Sequence, residues 1–388
     1  MSSLSLSGWS SEGACQKVRS SCEAWMQESQ HKKLVSINTP ALHTLAQEII
    51  ATASPTAIEW DEENWHYMPS TEFPKEIASE RLALYILALD AINFCFWPSH
   101  NEKNNENEPN FEYEHLAIAL ARMAKSDEEY QHSHPSTLSP HYIFAPSRLA
   151  SMSETEMASL FEEQLATVAK PKKITSLDNI STRIRSWNEI GKVLLEQWNG
   201  SILEFLQIEK NQNCHCALSA PQLVDRIVQI FPGFRDCYPW RQKEGDDPLC
   251  SHLYLYKRAQ ICVGDWNASL KLNLSDLDQV TTFADYRVPQ LLRNSGVLEY
   301  SAKLGESIDN GLEIVAGSME EKTIRAATVV AVERLVQELQ DLTQKKPTTE
   351  GTPVFTAIAV DWHLWQVGEK MQNEGLLKPH HRTRTTFY

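Results

Sequence analysis

The stretch Pro74 to Trp97, PKEIASERLALYILALDAINFCFW, decides how the rest of the chain is read. From near Pro74 through Phe96 it is apolar almost all round, the pattern of a helix enclosed by other elements rather than laid on a surface. Leu82 to Trp97 is also the longest apolar run, and Asp90 and Asn93 interrupt it. It falls short of the ~18 unbroken apolar residues that a bilayer-spanning helix needs, so no membrane partner is expected. A central buried helix implies amphipathic neighbours around it.

Those neighbours are legible on both sides. Asn38-Thr39-Pro40 offers an N-cap with proline at the first helical position, and Leu42, Leu45, Ala46, Ile49 and Ile50 keep one stripe. Ser153-x-x-Glu156 and Ser318-x-x-Glu321 are capping boxes, each before an apolar period that includes Leu160, Phe161 and Leu165, or Ile324, Leu335 and Leu339. Ile180, Ile184, Trp187, Gly191, Leu194 and Trp198 trace another helical face, and a last helix is expected around Val354 to Met371. Strand-like alternation is scarce, with Leu312 to Val315 the best small candidate, so the fold class is mainly α with at most a minor β element. No repeat of solenoid period occurs. Asn101 to Pro109 reads as a polar loop and Lys345 to Pro353 as a surface connector. Residues 1–35 have little periodicity and read as an appendage, leaving 36–388 as a single helical domain that can divide into two lobes.

With 388 residues, 42% hydrophobic and 22% charged, the composition is that of a globular protein and excludes wholesale disorder, collagen-like and coiled-coil classes. Lys and Arg number 36 against 51 Asp and Glu, a formal charge of −15 that repels polyphosphate at long range. A protein that coats nucleic acid is therefore not expected, whereas a small phosphorylated ligand can be held by one local basic pocket. Met1 to Gly13 is Ser-rich without the basic-then-apolar order of a secretory signal. Eight cysteines, mostly inside apolar patterns, suit a reducing compartment, and a cytoplasmic location is expected.

Polar groups embedded among apolar neighbours are the most telling feature, because an unpaired buried carboxylate is destabilising and calls for a compensating role. Four segments show it: Trp65 to Tyr67, Asp90 to Trp97, Phe283 to Gln290 and Asp361 to Trp365. Asp285 stands between Phe283 and Tyr286, just before Pro289, where a helix can begin facing a cavity; the plainer reading is an Asp that caps that helix or pairs with Arg287. Asp361 shares a helical face with Val354, Ile358 and Trp365, and its plainer reading is a hydrogen-bonded structural Asp. Lys257 and Arg258 are adjacent cations in an apolar helix continuing through Ile261, Val263 and Trp266. One can point inward, where a lysine suits a phosphate monoester, while the other stays wet; the alternative is an ammonium that snorkels or pairs with an acid. Cys214-x-Cys216 with His215, Cys237 and Cys250 lack the paired knuckles of a structural zinc site, and His363, His380 and His381 read as ordinary histidines, so no metal is expected. The absence of Walker, dinucleotide-binding, H-E-x-x-H and G-x-S-x-G motifs removes the usual supports for nucleoside-triphosphate chemistry and serine hydrolysis.

A series of uncommon words in this chain resembles the queuosine 5'-phosphate N-glycosylase/hydrolase family, the queuosine salvage proteins. The words are Asn93-Phe94-x-Phe96-Trp97, Phe231-Pro232-x-Phe234-Arg235-Asp236, Tyr256-Lys257-Arg258-Ala259-Gln260-Ile261, Phe283-Ala284-Asp285-Tyr286-Arg287-x-Pro289-Gln290 and Asp361-x-x-Leu364-Trp365. They stand in family order over about residues 36 to 388, with Asn101 to Ser139 an insertion-like stretch outside the resemblance. The resemblance implies hydrolysis of the N-glycosidic bond of queuosine 5'-phosphate, releasing queuine for salvage into tRNA modification. It implies no metal or redox cofactor, no polymeric nucleic acid as substrate, and a helical fold similar to helical DNA glycosylases. By the same resemblance Asp285 matches the catalytic carboxylate and Phe283 a residue lining the base pocket. His66 matches a base-site histidine, though its flanks depart from the family's. Asp361 and Trp362 match a base-binding acid and aromatic, and Lys257 the lysine at the 5'-phosphate. Gln366 stands where some relatives are acidic, and an amide brings no charge to the cationic amine of queuine.

Cleaving a ribosyl C–N bond builds positive charge on the sugar, which a close carboxylate stabilises best in a dry pocket. Asp285 is the expected group, acting by ion pairing, by deprotonating water or by covalent attack. Two rival readings are a DNA glycosylase, against which the charge of −15 argues, and a noncatalytic binding protein for queuine or modified tRNA.

Overall fold

The computed structural model describes residues 13–52, 66–97, 111–166, 179–208, 216–240, 252–344 and 355–388. Along the chain run α1 (Ala14–Gln27), α2 (Ser29–Leu34), β1 (Val35–Ile37), α3 (Thr39–Thr52), α4 (Lys75–Ile92), α5 (Tyr113–Lys125), α6 (Glu128–Ser133) and α7 (Pro146–Ser151). Then follow α8 (Glu154–Leu165), α9 (Ile180–Gln197), α10 (Ile202–Leu206), α11 (Ala220–Ile230), β2 (Cys237–Pro239), β3 (His252–Tyr254) and α12 (Lys257–Leu270). The last are α13 (Arg287–Asn294), β4 (Leu298–Tyr300), α14 (Ala302–Asp309), α15 (Met319–Gln344) and α16 (Ala357–Asn373). The fold is mainly α, as the sequence indicates, and its strands are three residues long, too short for alternation to register in sequence. Among the described residues no helix is long and apolar enough to cross a membrane.

Two compact units divide the chain. The first takes the described residues of Met1–Thr56, Asp236–Lys257 and Asp276–Thr383; the second takes those of Ala57–Arg235, Arg258–Ser275 and Arg384–Tyr388.

In the first unit α15 is the spine. Its buried side chains include Ile324, Val329, Val332, Leu335 and Leu339, and α1, α3 and α16 pack against it. Ser318 Oγ accepts from the Glu321 N–H (3.2 Å), half of the expected capping box; the Glu321 carboxylate turns instead to the Gly317 N–H. Asn38 Oδ1 accepts from the Ala41 N–H (3.0 Å), so α3 starts on its expected cap and buries Leu42, Leu45, Ala46 and Ile49. β1 pairs antiparallel with β4, Val35 opposite Tyr300, and β2 with β3, Cys237 opposite Tyr254.

Two expectations change here. Residues 14–35, read as an appendage, form α1, α2 and β1, and α1 buries Val18, Cys22, Trp25 and Met26. Serine, cysteine and lysine on its inner face blunt the apolar contrast from which periodicity is read. Leu312 to Val315 is no strand: Glu313 makes an isolated parallel bridge to Arg382, and Leu312 and Val315 are 51% and 75% exposed.

In the second unit α4 is the centre, with every residue from Arg81 through Trp97 buried and with α5, α9 and α10 packed on it. Trp187 Nε1 donates to the Ala88 carbonyl (2.8 Å) and Trp266 Nε1 to the Ala83 carbonyl (3.0 Å). Inside, Arg81 is tied to Asp127 (2.7 Å) and to the Tyr67 hydroxyl (2.9 Å). The helix stops at Ile92 rather than Phe96, and the carbonyls of its last turn and just beyond have other partners. Arg183 donates to Ile92, Phe94 and Cys95, and Arg258 to Asp90 and Ala91. Arg258 is therefore not the wet cation the sequence suggested: it is 2% exposed and satisfies helix-end carbonyls that otherwise lack donors. Asn101 to Ser139, read as insertion-like, supplies α5 and α6. The Ser-rich start, Asn101 to Pro109 and Lys345 to Pro353 lie outside the described residues, apart from Gly13.

Candidate active site

The site is built in the first unit from the segment leading into α13. Thr281, Thr282, Phe283 and Ala284 are all buried, and Asp285 follows at 8% exposure. Asp285 Oδ1 accepts from the N–H groups of Arg287 (2.9 Å) and Val288 (3.0 Å), satisfying first-turn donors of α13. Pro289 comes next, where a missing N–H costs nothing. Among the described residues no group donates a hydrogen bond to Oδ2. Thus the capping role read from the sequence is present and occupies one oxygen only. The pairing with Arg287 is not: its guanidinium goes to Glu369 (2.6 Å), Gln290 (2.6 Å) and Gln372 (3.2 Å). Gly368 makes room for it, since a Cβ there would sit 3.0 Å from Arg287 Cγ and Cδ.

Asp361 lies on α16, whose start is capped by Thr356 Oγ1 accepting from the Ala359 N–H (3.3 Å). It is 3% exposed, and its Oδ2 accepts from Thr282 Oγ1 and from the Phe283 N–H (2.9 Å). These bonds tie α16 to the strand-like run before Asp285 and leave Oδ1 for a proton. Burial pushes the Asp361 carboxyl up to about 8, with the nearby Asp285 charge adding to the rise. Burial raises Asp285 as well, against the pull of the Lys257 charge and of the Val288 and Arg287 donors.

Lys257 opens α12 and is buried, at 5% exposure. Its charge favours the ionised form of both carboxylates. Its N–H donates to Asp236 Oδ2 (3.2 Å), and the Asp236 carbonyl accepts from Leu255 (3.0 Å) and Tyr256 (3.1 Å). Arg325 on α15 grips Asp236 through both oxygens and donates to the Ala284 carbonyl (2.8 Å).

Asp285, Phe283, Asp361 and Lys257 are thus brought together. Trp362 is half-buried and Gln366 exposed on the helix that carries Asp361. His66 belongs to the second unit, where it is half-buried with Nδ1 3.2 Å from the Tyr85 hydroxyl and its ring beside that of Tyr113. Sequence reasoning gave no role to Thr282, Asp236 or Arg325. The available signal was an arginine set within the apolar run Ile324 to Val332.

Of the cysteine and histidine positions weighed for zinc, Cys214, His215 and Cys250 lie outside the described residues, and the Cys216 thiol donates to the Leu206 carbonyl (3.0 Å). Among the described residues no group of three His, Cys, Asp or Glu side chains is placed to hold a metal ion. The His380 ring lies 4.7 Å from that of Tyr286 at a tilt of 40°, and burial depresses His380 to about 4; His381 is depressed to about 3.

Fold and site together define a helical protein with a pair of buried carboxylates set beside one buried lysine. Residues 73–388 match the family model described as queuosine salvage protein, and the chain belongs to that family. It is 34% identical over 372 residues to the queuosine 5'-phosphate N-glycosylase/hydrolase of Dictyostelium discoideum, covering 94% of this chain and 97% of that one. A relative of the same name from Sphaerobacter thermophilus is 33% identical over 80% of this chain and 82% of its own. One from Mus musculus is 27% identical over 86% and 89%.

Proposed function

We propose that this protein hydrolyses the N-glycosidic bond of queuosine 5'-phosphate, releasing queuine for reuse in tRNA modification and leaving ribose 5-phosphate. The relatives' names support the substrate. The observation that carries the reading for this chain is the division of labour at Asp285, one oxygen fixed by two backbone donors and the other without a hydrogen bond among the described residues, in a buried setting beside Lys257.

As the C–N bond lengthens, charge develops on the ribose ring, and a fixed, desolvated carboxylate stabilises that charge far better than water does. Asp285 supplies it, through Oδ2. The leaving base has a second requirement, since a 7-deazapurine lacks the ring N7 that departing purines protonate. Asp361, neutral near pH 7 because of its raised value, donates a hydrogen bond to the guanine-like edge as negative charge arrives there. Trp362 and Phe283 offer aromatic faces to the flat heterocycle. Lys257 holds the 5'-phosphate, so that binding energy remote from the bond fixes the ribose against Asp285 and water. The substrate is the free mononucleotide rather than a nucleic-acid polymer, which suits the charge of −15, and the setting is the cytoplasm.

Incubation with queuosine 5'-phosphate, followed by chromatography for free base, tests the reading directly. Queuine should appear with the wild-type protein. Asp285→Asn should lower turnover by about 10³-fold or more while retaining the fold, in the range seen for lost transition-state charge stabilisation. Absence of base release by the wild type would refute the activity, and undiminished release by the variant would refute the role of Asp285.

A further inference from the structure

We propose that Arg325 is a positioning residue for this reaction, setting the lysine at the phosphate and the carboxylate at the sugar from a single buried guanidinium. The proposal rests on the activity argued above.

Three segments far apart in sequence meet at this side chain. Arg325 Nη1 and Nη2 donate to Asp236 Oδ1 (2.9 Å) and Oδ2 (2.6 Å), a two-point fork, while Nε donates to the Ala284 carbonyl (2.8 Å). Ala284 is the residue before Asp285, so that bond fixes the peptide from which the reactive carboxylate projects. Asp236 Oδ2 is shared with the Lys257 N–H (3.2 Å), and the Asp236 carbonyl takes the Leu255 and Tyr256 N–H groups. The start of α12, and with it Lys257, therefore hangs on the same aspartate. Tyr256 sits at φ +49°, a left-handed turn that a tyrosine adopts only when its surroundings hold it there. On its far side the cluster is closed by Tyr238, whose hydroxyl donates to Glu321 Oε1 (2.7 Å) and lies 3.4 Å from Arg325 Nη1.

Stability alone does not account for such a group. Arg325 and Asp236 are 0% and 1% exposed, and a buried ion pair gains little over well-packed apolar side chains once desolvation is counted. What the pair provides is geometry: the planar fork fixes Asp236 in two directions and leaves Nε aimed at Ala284. A lysine offers one point charge and cannot make this arrangement.

The test compares the wild type with Arg325→Lys and Asp236→Asn on queuosine 5'-phosphate and on unphosphorylated queuosine. Each protein is assayed below its own melting midpoint, read by circular dichroism. Arg325→Lys should lose on the order of a hundredfold in kcat/KM on the nucleotide, the scale expected of misplacement by about 1 Å. Its loss on the nucleoside should be smaller, so the preference for the phosphorylated substrate contracts. Lys257→Ala should contract the preference in the wild type but not further in the Arg325→Lys background, because both changes act through one contact. If Arg325→Lys does not fold, Asp236→Asn, which preserves volume but removes the charge and one of the two acceptor oxygens of the fork, carries the same comparison. Equal losses on both substrates, or losses that add independently to those of Lys257→Ala, would show that Arg325 does not set Lys257 and would overturn the proposal that one guanidinium sets both groups. Wild-type protein that cleaves neither substrate would instead overturn the activity on which it rests.

Discussion

Asp285 and Asp361 differ in what burial leaves them. Each has one oxygen engaged by two donors and Lys257 nearby, but at Asp285 the Lys257 charge is the first pull against burial, whereas at Asp361 the Asp285 charge adds to the rise. That difference favours the proton on Asp361 over Asp285 and gives the pair its pH dependence. Asp361 moves from the ~3.9 of a free aspartate to about 8. Between those values the folded chain holds a proton that the unfolded chain lacks, so the contribution to stability declines as pH rises through the window. In the proposed reaction, raising pH through about 8 removes the proton that Asp361 donates, and lowering pH protonates Asp285. The profile of kcat against pH should therefore be bell-shaped, with its alkaline limb near pH 8 and both limbs belonging to the coupled pair. Asp361→Asn keeps a donor that does not titrate, so it should flatten the alkaline limb; a limb that persists unchanged would assign that proton elsewhere. Asp285 and Asp361 were legible in the sequence as acids among apolar neighbours. Their difference in ionisation was not, since it depends on Thr282, Phe283 and Lys257 arriving from other segments.

At the scale of elements, caps and stripes gave most of the helices, because the groups that decide them lie within one or two turns. Ser153 accepting from the Glu156 N–H at the start of α8 is one such case, at 3.1 Å. Gly191 shows where that locality ends. In sequence it is one position on the face of α9, yet a Cβ there would stand 2.4 Å from the Ala150 nitrogen and 2.6 Å from the Pro146 oxygen. Both are backbone atoms, so neither can swing away, and α7 lies against α9 only because the side chain is missing. Gly191→Ala should cost about 1–3 kcal/mol or more through overpacking. Thermal unfolding checks this, with a midpoint lowered by several degrees expected and an unchanged midpoint counting against so close a contact. The same limit explains α1, whose inner face mixes Val18 and Trp25 with Lys17, Ser21 and Cys22. Which of these were buried depended on α15 being there to cover them.

For the whole molecule, the first unit is assembled from three separated stretches of chain, and nothing local announces that division. The N-terminal helix belongs to it: Trp25 Nε1 donates to Thr323 Oγ1 (3.1 Å) and Arg19 pairs with Glu333 (3.1 Å), both on the helix that carries Arg325. Deleting residues 1–27 should strip that face of α15, lower the melting midpoint by many degrees and depress base release with it. Circular dichroism and size exclusion check the outcome, and a truncated protein that melts like the full chain would restore the appendage reading. From the sequence by itself came the helical class, the position of the central helix, most caps, the family and the acids at which to look. These follow from periodicity, from local hydrogen bonding and from short words that survive in isolation. Only the tertiary structure decided which oxygen of Asp285 is engaged, that Arg258 is buried, and that Arg325 joins Asp236 across a separation of 89 residues. Such pairings have no signature along the chain, because their energy arises only when distant segments exclude water from a shared space.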